Sequence, residues 1–425
     1  MKGLTNRAIQ FILHPDRKNF LIYSIGAFFL KGVSFLLIPM YTSLLSAAEF
    51  GSYDLLRTFG SVTEIILSLG LLQLIYAEFY AKDSVSKREF LSAFITIYLN
   101  VSGILYLLLT VGLFFVSDSL FPGVSYLLVV MVMITTFLNF FQVMLLTVLK
   151  LSFEAMRVTM LQVILGVTTL LLNILLVYAL RTGIDGIIYS TLAVTLISCM
   201  YGIWHFRSKL TGISLRLNAV QLRHYLKLGL PFIPNVLAFW IMISANRWIL
   251  LHYSGLEDVG IYSLAFRITA VFEPLFIEPF LAAYTPVLLK KFQDGQYEQG
   301  FMVRIAGILS FFFFAGWMLQ QAGDWVVGEE FRASTALVPP LALAYAFNLI
   351  AQSSSLILIH QKKVRLLLLC VLAGSLTGII MNFVLVPSYG AMGSAVSTLS
   401  GHAVWAFTVV TFSVISLNGL NRKRI

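Results

Sequence analysis

From about residue 20 to residue 416 the chain is a succession of apolar runs of membrane-spanning length, separated by short polar connections. A hydrocarbon layer about 30 Å thick is crossed by ~20 helical residues, and inside it every backbone amide needs a partner. Runs of this length are helices, because a membrane-spanning strand needs only about 9–11 residues. Only 11% of the residues are charged, against about 25% in soluble domains. The fold class is therefore an all-α integral membrane protein. About twelve spans are expected, near 20–44, 53–80, 90–116, 124–148, 157–180, 184–206, 228–252, 260–289, 302–321, 334–358, 364–386 and 391–416. The longest polar connection, Arg207 to Lys227, divides the chain into an N-terminal six-helix lobe, 1–210, and a C-terminal one, 211–425.

Charge sets the orientation. With the N-terminus inside, alternate connections carry Lys82, Lys87 and Arg88, then Lys150 and Arg157, then Arg207, Lys209, Arg216, Arg223 and Lys227. Lys290, Lys291, Arg304, Lys362, Lys363 and Arg365 continue the series, and Arg422, Lys423 and Arg424 close it. The opposite connections hold Arg181 and Arg332 beside Glu49, Asp54, Asp118, Asp185, Glu257, Asp258, Asp324, Glu329 and Glu330. This is the positive-inside pattern, with both termini cytoplasmic. It accounts for the net charge of +10, so no nucleic-acid surface is needed. The N-terminal stretch is too polar for a signal peptide, and the first run is expected to be a retained span. Cys199 and Cys370 both fall inside apolar runs and are expected to be free thiols.

An internal repeat is visible at a constant offset of 209 residues. Glu49-Phe-Gly51-Ser-Tyr53 matches Asp258-Val-Gly260-Ile-Tyr262; Glu64 falls on Glu273, Lys82 on Lys291 and Asn173 on Asn382. Each asparagine leads into a Gly-x-x-Gly, Gly183/Gly186 and Gly390/Gly393, expected to pack tight helical hairpins. With an even number of spans per half, the halves are parallel repeats, an arrangement found in transporters.

Charges inside spans cost about 2.5–3.5 kcal/mol each on insertion scales and normally face a partner or a hydrated cavity. Four are basic: Lys31, Arg57, Arg247 and Arg267. Lys31 lies roughly 16 Å into its run at 1.5 Å per residue; the arginines lie closer to the outer ends, where snorkelling to headgroups is the alternative. The acids are Glu64, Glu273 and Glu278, candidates for ion pairing or for coupling to protons or sodium. Arg57 and Glu64 share one helical face. Pro274, Pro279 and Pro286 are expected to bend the eighth span. No HExxH and no Cys/His cluster is present, and the outer connections are short. A metal site, a cofactor and an enzymatic role are therefore not expected.

Phe35-Leu-Leu-Ile-Pro39 followed by Glu49-Phe-Gly-Ser-Tyr53 resembles the start of bacterial polysaccharide flippases. So do Asn246-Arg247-Trp-Ile-Leu, Gly255-Leu-Glu-Asp-Val-Gly-Ile-Tyr-Ser263, and Asn382…Pro387…Gly390-Ala-Met-Gly393. These are the O-antigen, capsule and exopolysaccharide repeat-unit flippases, within the superfamily of multidrug and toxic compound extrusion transporters. The residue before Arg247 is often acidic in such proteins and is Asn246 here. The resemblance implies a cavity lined by spans 1, 2, 7 and 8 and a substrate of undecaprenyl-pyrophosphate-linked oligosaccharide. Translocation across the bacterial inner membrane would proceed by alternating access, with Lys31, Arg57, Arg247 and Arg267 toward the pyrophosphate. Membrane lipids and other polysaccharide-assembly membrane proteins are the implied partners. Competing expectations are a cation-coupled multidrug exporter of the same fold, a membrane-embedded polymerase or ligase, and a lipid II flippase, which ordinarily has two further spans.

Overall fold

The computed structural model describes residues 15–81, 84–207, 218–293 and 301–422, helical almost throughout and with no strand among them. The first half runs α1 Pro15–Leu44, α2 Ala47–Leu67, α3 Leu71–Glu78, α4 Ser84–Ile97, α5 Gly103–Leu113, α6 Ser117–Leu120, α7 Tyr126–Leu151, α8 Ala155–Asn173 and α9 Ile184–Phe206. The second runs α10 Ala219–Gly229, α11 Ile233–Ser244, α12 Asn246–Thr269, α13 Glu278–Gln293, α14 Phe301–Val326, α15 Val338–His360 and α16 Val364–Arg422.

Seven described segments are long and apolar enough to cross a membrane, or eight if α2 and α3, bent by 57° at their break, form one span. The longest two hold more than one crossing's length: Ala219–Thr285 has 67 residues and Val364–Ser416 has 53. Gly390, at φ 50°, breaks the second of these. A Cβ on Gly374 would meet Gly401, and one on Gly378 would meet Ser397 and Gly401, so the two arms run antiparallel. The first repeat turns the same way at Gly183, φ 62° and ψ −138°, against φ 50° and ψ −131° at Gly390. Side chains avoid this region, so glycine is required at both turns. The repeat-related asparagines also behave alike: Asn173 donates to Thr169 O and Asn382 to Gly378 O, each at 2.8 Å.

Three π-helical turns interrupt the described helices, at Tyr98–Ser102, Ile174–Ala179 and Glu273–Ile277. Pro274 sits in the third, where its missing N–H leaves a carbonyl without a helical donor. Pro274 thus coincides with a local π turn just before α13.

The chain forms two compact units, one from Met1–Leu37 and Leu56–Pro234, the other from Ile38–Leu55 and Asn235–Ile425. The first is centred on rings: Tyr98 stacks on Phe140 at 3.6 Å and on Phe137 at 5.1 Å. The second packs Trp405, Met242, Ala351 and Cys370 in one cluster and Phe272, Ile277, Phe312 and Leu349 in another. The second unit also holds the end of α1 and the start of α2, which bring the first copy of the repeated motif against the second.

Candidate functional site

The start of α2 is fixed locally. Ser46 and Glu49 form a capping box: Glu49 Oε2 accepts from Ser46 N at 2.8 Å, and Ser46 Oγ accepts from Glu49 N at 3.2 Å. Ala47 N donates to Glu330 Oε1 at 2.9 Å. The helix therefore begins well before the span start expected near residue 53. Glu49 lies in its first turn, and Asp54 inside it.

The two copies of the repeat meet backbone to backbone. A Cβ on Gly51 would collide with Leu256 O, and one on Gly260 would collide with Ala47 O. Positions 47 and 256, and 51 and 260, share the 209-residue offset, so the contact is reciprocal about a local two-fold relation. One turn further on, Asp54 and Ser263, again offset mates, are joined by a hydrogen bond from Ser263 Oγ to Asp54 Oδ2 of 2.7 Å.

Asp54 also takes the Arg247 guanidinium, Nε to Oδ2 at 2.5 Å. Asp54 is 2% and Arg247 1% exposed. This corrects the assignment of Asp54 to the outer connections: it is a buried counter-ion. Arg247 Nη1 further donates to Ile243 O at 2.9 Å and to Asn246 Oδ1 at 3.3 Å. Its charge lies over the rings of Tyr262 and Phe266, 5.2 and 4.9 Å from their centroids. Asn246 and Tyr262 both reach Thr398 Oγ1, at 3.1 and 3.0 Å, and His402 Nδ1 lies 2.8 Å from Thr398 O. Asn246, where the resembling family often has an acid, thus supplies an amide, and Asp54 supplies the anion from another helix.

Arg267 is placed differently. It is half-buried, and its guanidinium lies over three rings, Phe50 at 4.9 Å, Tyr53 at 5.6 Å and Tyr41 at 5.7 Å. Phe50 is itself wedged edge-on by Phe331 at 5.8 Å. No carboxylate of the described residues pairs with Arg267. Packed rings around a guanidinium narrow the orientations open to its N–H fork, which is suited to bidentate phosphate or carboxylate.

Glu64 sits in the first unit. Gly60 brings α2 close to Thr136 of α7, and one turn on Asn139 Nδ2 meets both Glu64 oxygens at 3.0 and 2.8 Å. Tyr98 and Tyr106 lie near enough to feel the same carboxylate. No cation of the described residues pairs with Glu64.

The other expected site residues are spread out. Arg57 is exposed on α2. Glu273 is half-buried at the head of the third π turn, and Glu278 is exposed at the start of α13. Lys31 lies on α1, its side chain outside the described residues. Asp54, Ser263, Asn139 and the ring platform under Arg267 were missed from the sequence; the repeat offset, which maps Asp54 onto Ser263, was the signal available for the first two.

Known proteins share this architecture. An inward-facing multidrug resistance MATE family transporter of the MOP superfamily superposes with TM-score 0.71 at 17% identity, covering 92% of this chain and 96% of that one. The lipid II flippase MurJ, in an inward closed conformation, gives 0.68 at 15% identity, covering 95% and 93%. A MOP superfamily transporter from Pyrococcus furiosus, described as having a binding pocket of reverse polarity, gives 0.51 at 15%, covering 96% and 97%. At these identities the likeness is one of fold. No curated protein matches the chain by sequence. Residues 42–322, about two thirds of the chain, match the family described as "Polysaccharide biosynthesis protein", and the protein belongs to that family.

Proposed function

We propose that the protein is a flippase that carries undecaprenyl-pyrophosphate-linked oligosaccharide repeat units across the bacterial inner membrane by alternating access. In this reading twelve spans form two six-helix lobes, 1–210 and 211–425, with both termini in the cytoplasm. It is not an enzyme; it works with membrane lipids and other polysaccharide-assembly membrane proteins. The observation that carries the reading is Arg267, a half-buried guanidinium oriented by three rings and without a described anionic partner. A pyrophosphate supplies the missing anion, and charge-assisted hydrogen bonds to it are strong where water is scarce. Lys31 and Arg57 add positive charge for the same head group. Arg247 joins them only when Asp54 releases it. A drug exporter for cationic substrates would need a free carboxylate in that position instead.

The test is Arg267→Ala at matched expression, with surface polysaccharide as the readout. Losing one or two charge-assisted hydrogen bonds, each about 1.5–3 kcal/mol, lowers export by roughly 10- to 100-fold or more. Undiminished export overturns the assignment. Lysine at this position restores little, because it lacks the planar fork.

Glu64 is the proposed coupling group, with Glu273 as its repeat mate in the second half and Glu278 as a further candidate. Glu64→Gln keeps an acceptor for Asn139 while removing the charge. Protein abundance is therefore expected to hold while export stops responding to the ion gradient, measured with and without an uncoupler. A wild-type response in the variant removes Glu64 from coupling.

A further inference from the structure

The helix joining the two halves has two unlike faces. Along α10, Leu222, Tyr225, Leu226 and Gly229 form a covered stripe at helical spacing. Tyr225 meets the rings of Phe94 and Phe90 edge-on, at 5.0 and 5.8 Å. Gly229 ends the stripe against the elbow between α2 and α3: a Cβ there would collide with Leu69 O, and one on Gly70, at φ 71°, would collide with Gly229 O. Asn218 caps the other end, its Oδ1 accepting from Val220 N at 2.9 Å and Gln221 N at 3.3 Å. The helix is thus seated without help from a membrane.

The opposite face carries Arg223, His224 and Lys227, all exposed, with Val220 78% exposed beside them. No carboxylate of the described residues pairs with Arg223 or Lys227. Glu78 and Glu89 lie on the covered side, near Tyr225. Exposed apolar side chains begin directly afterwards, at Leu230 and Phe232, 44% and 39% exposed. Lys227 lies one turn before this apolar exposure and Arg223 one turn further back, a spacing that suits contact with headgroup phosphates.

We infer that this face of α10 binds anionic phospholipid headgroups of the cytoplasmic leaflet, holding the connection between the halves on the membrane surface. The inference uses the charge-derived orientation of this loop and is independent of the transported substrate. A basic side chain near an anionic membrane surface changes affinity by roughly fivefold, so Arg223 and Lys227 together are worth about 30-fold.

The full-length protein, purified in detergent, is titrated with phosphatidylglycerol or phosphatidylcholine while the thermal unfolding midpoint is followed. Phosphatidylglycerol is expected to raise the midpoint and phosphatidylcholine to leave it unchanged. Arg223→Gln with Lys227→Gln should need roughly 30-fold more phosphatidylglycerol for the same rise, whereas Arg223→Lys with Lys227→Arg should respond as the parent does. A parental response from the glutamine variant overturns the inference. So does protection by inorganic pyrophosphate that the glutamine variant loses and Arg267→Ala keeps, which would make the face a soluble-anion site. Arg267→Ala is expected to keep the phosphatidylglycerol response, so failure of the flippase reading would not be mistaken for failure of this one.

Discussion

Two arginines stand on tyrosines that the internal repeat relates to each other: Arg247 on Tyr262 and Arg267 on Tyr53. Arg247 is 1% exposed and closed off by Asp54, two further acceptors and two rings. Among the described residues Arg267 has rings alone. The repeat-related tyrosine thus lies by a neutralised guanidinium in one copy and, among the described residues, by one without a carboxylate in the other. The rest of each platform, Phe266 on one side and Tyr41 and Phe50 on the other, is not related by the repeat, and a single carboxylate, Asp54, separates the two arginines in charge. The closed site is suited to holding structure and the open one to receiving an anion from outside the chain.

The comparison breaks hardest at Asp54. Asp54→Ala leaves a buried guanidinium without its anion, which costs about 3–5 kcal/mol. Thermal unfolding of purified protein should show this loss, while Arg267→Ala should move the midpoint little. Adding Arg247→Met to Asp54→Ala removes the stranded charge and is expected to recover most of the stability. If Asp54→Ala unfolds at the parental midpoint, the closed site is not structural, and the division between the two arginines fails.

Gly51 and Gly260 test whether the symmetry itself is required. Their contact is reciprocal, so Gly51→Val and Gly260→Val should each destabilise by about 1–3 kcal/mol through overpacking. The double variant should lose less than the sum, because both changes push apart the same pair of backbones. Full additivity in thermal unfolding would mean that the two glycines pack independently.

The sequence carried the scaffold further than the site. Segment length announced helices, and the 209-residue offset announced the duplication. That offset pairs Gly51 with Gly260 and Asp54 with Ser263, the contacts the fold makes. It could not show that Arg247, 193 residues from Asp54, was the carboxylate's second partner, because periodicity gives a face and not what the face meets. Asp54 was misplaced because hydropathy located the start of the second span by its apolar core, whereas Ser46 and Glu49 cap the helix earlier. The π turns were hidden for a similar reason: one extra residue in a turn leaves the apolar pattern almost intact, and Pro274 alone gave warning. Asn139 was illegible, since an amide within an apolar run gains meaning only from the carboxylate opposite.

The smallest effect comes from the platform under the open site. Tyr53 contributes one of the three rings beneath Arg267, and its repeat mate Tyr262 lies beneath Arg247. Replacing either ring by leucine removes one cation–π contact, worth about 0.5–1 kcal/mol at a partly exposed site and about 2 when desolvated. At Tyr262 the loss should be structural, because Arg247 is buried and the hydroxyl to Thr398 goes too. At Tyr53 the unfolding midpoint should scarcely move, yet export should fall several-fold, because Arg267 regains rotamers that hold its fork away from a phosphate. Tyr53→Phe keeps the ring and should export as the parent does. A Tyr53→Leu variant that exports normally would show that the ring only covers Arg267 and does not aim it, leaving the contrast between the two sites to their polar partners and their burial.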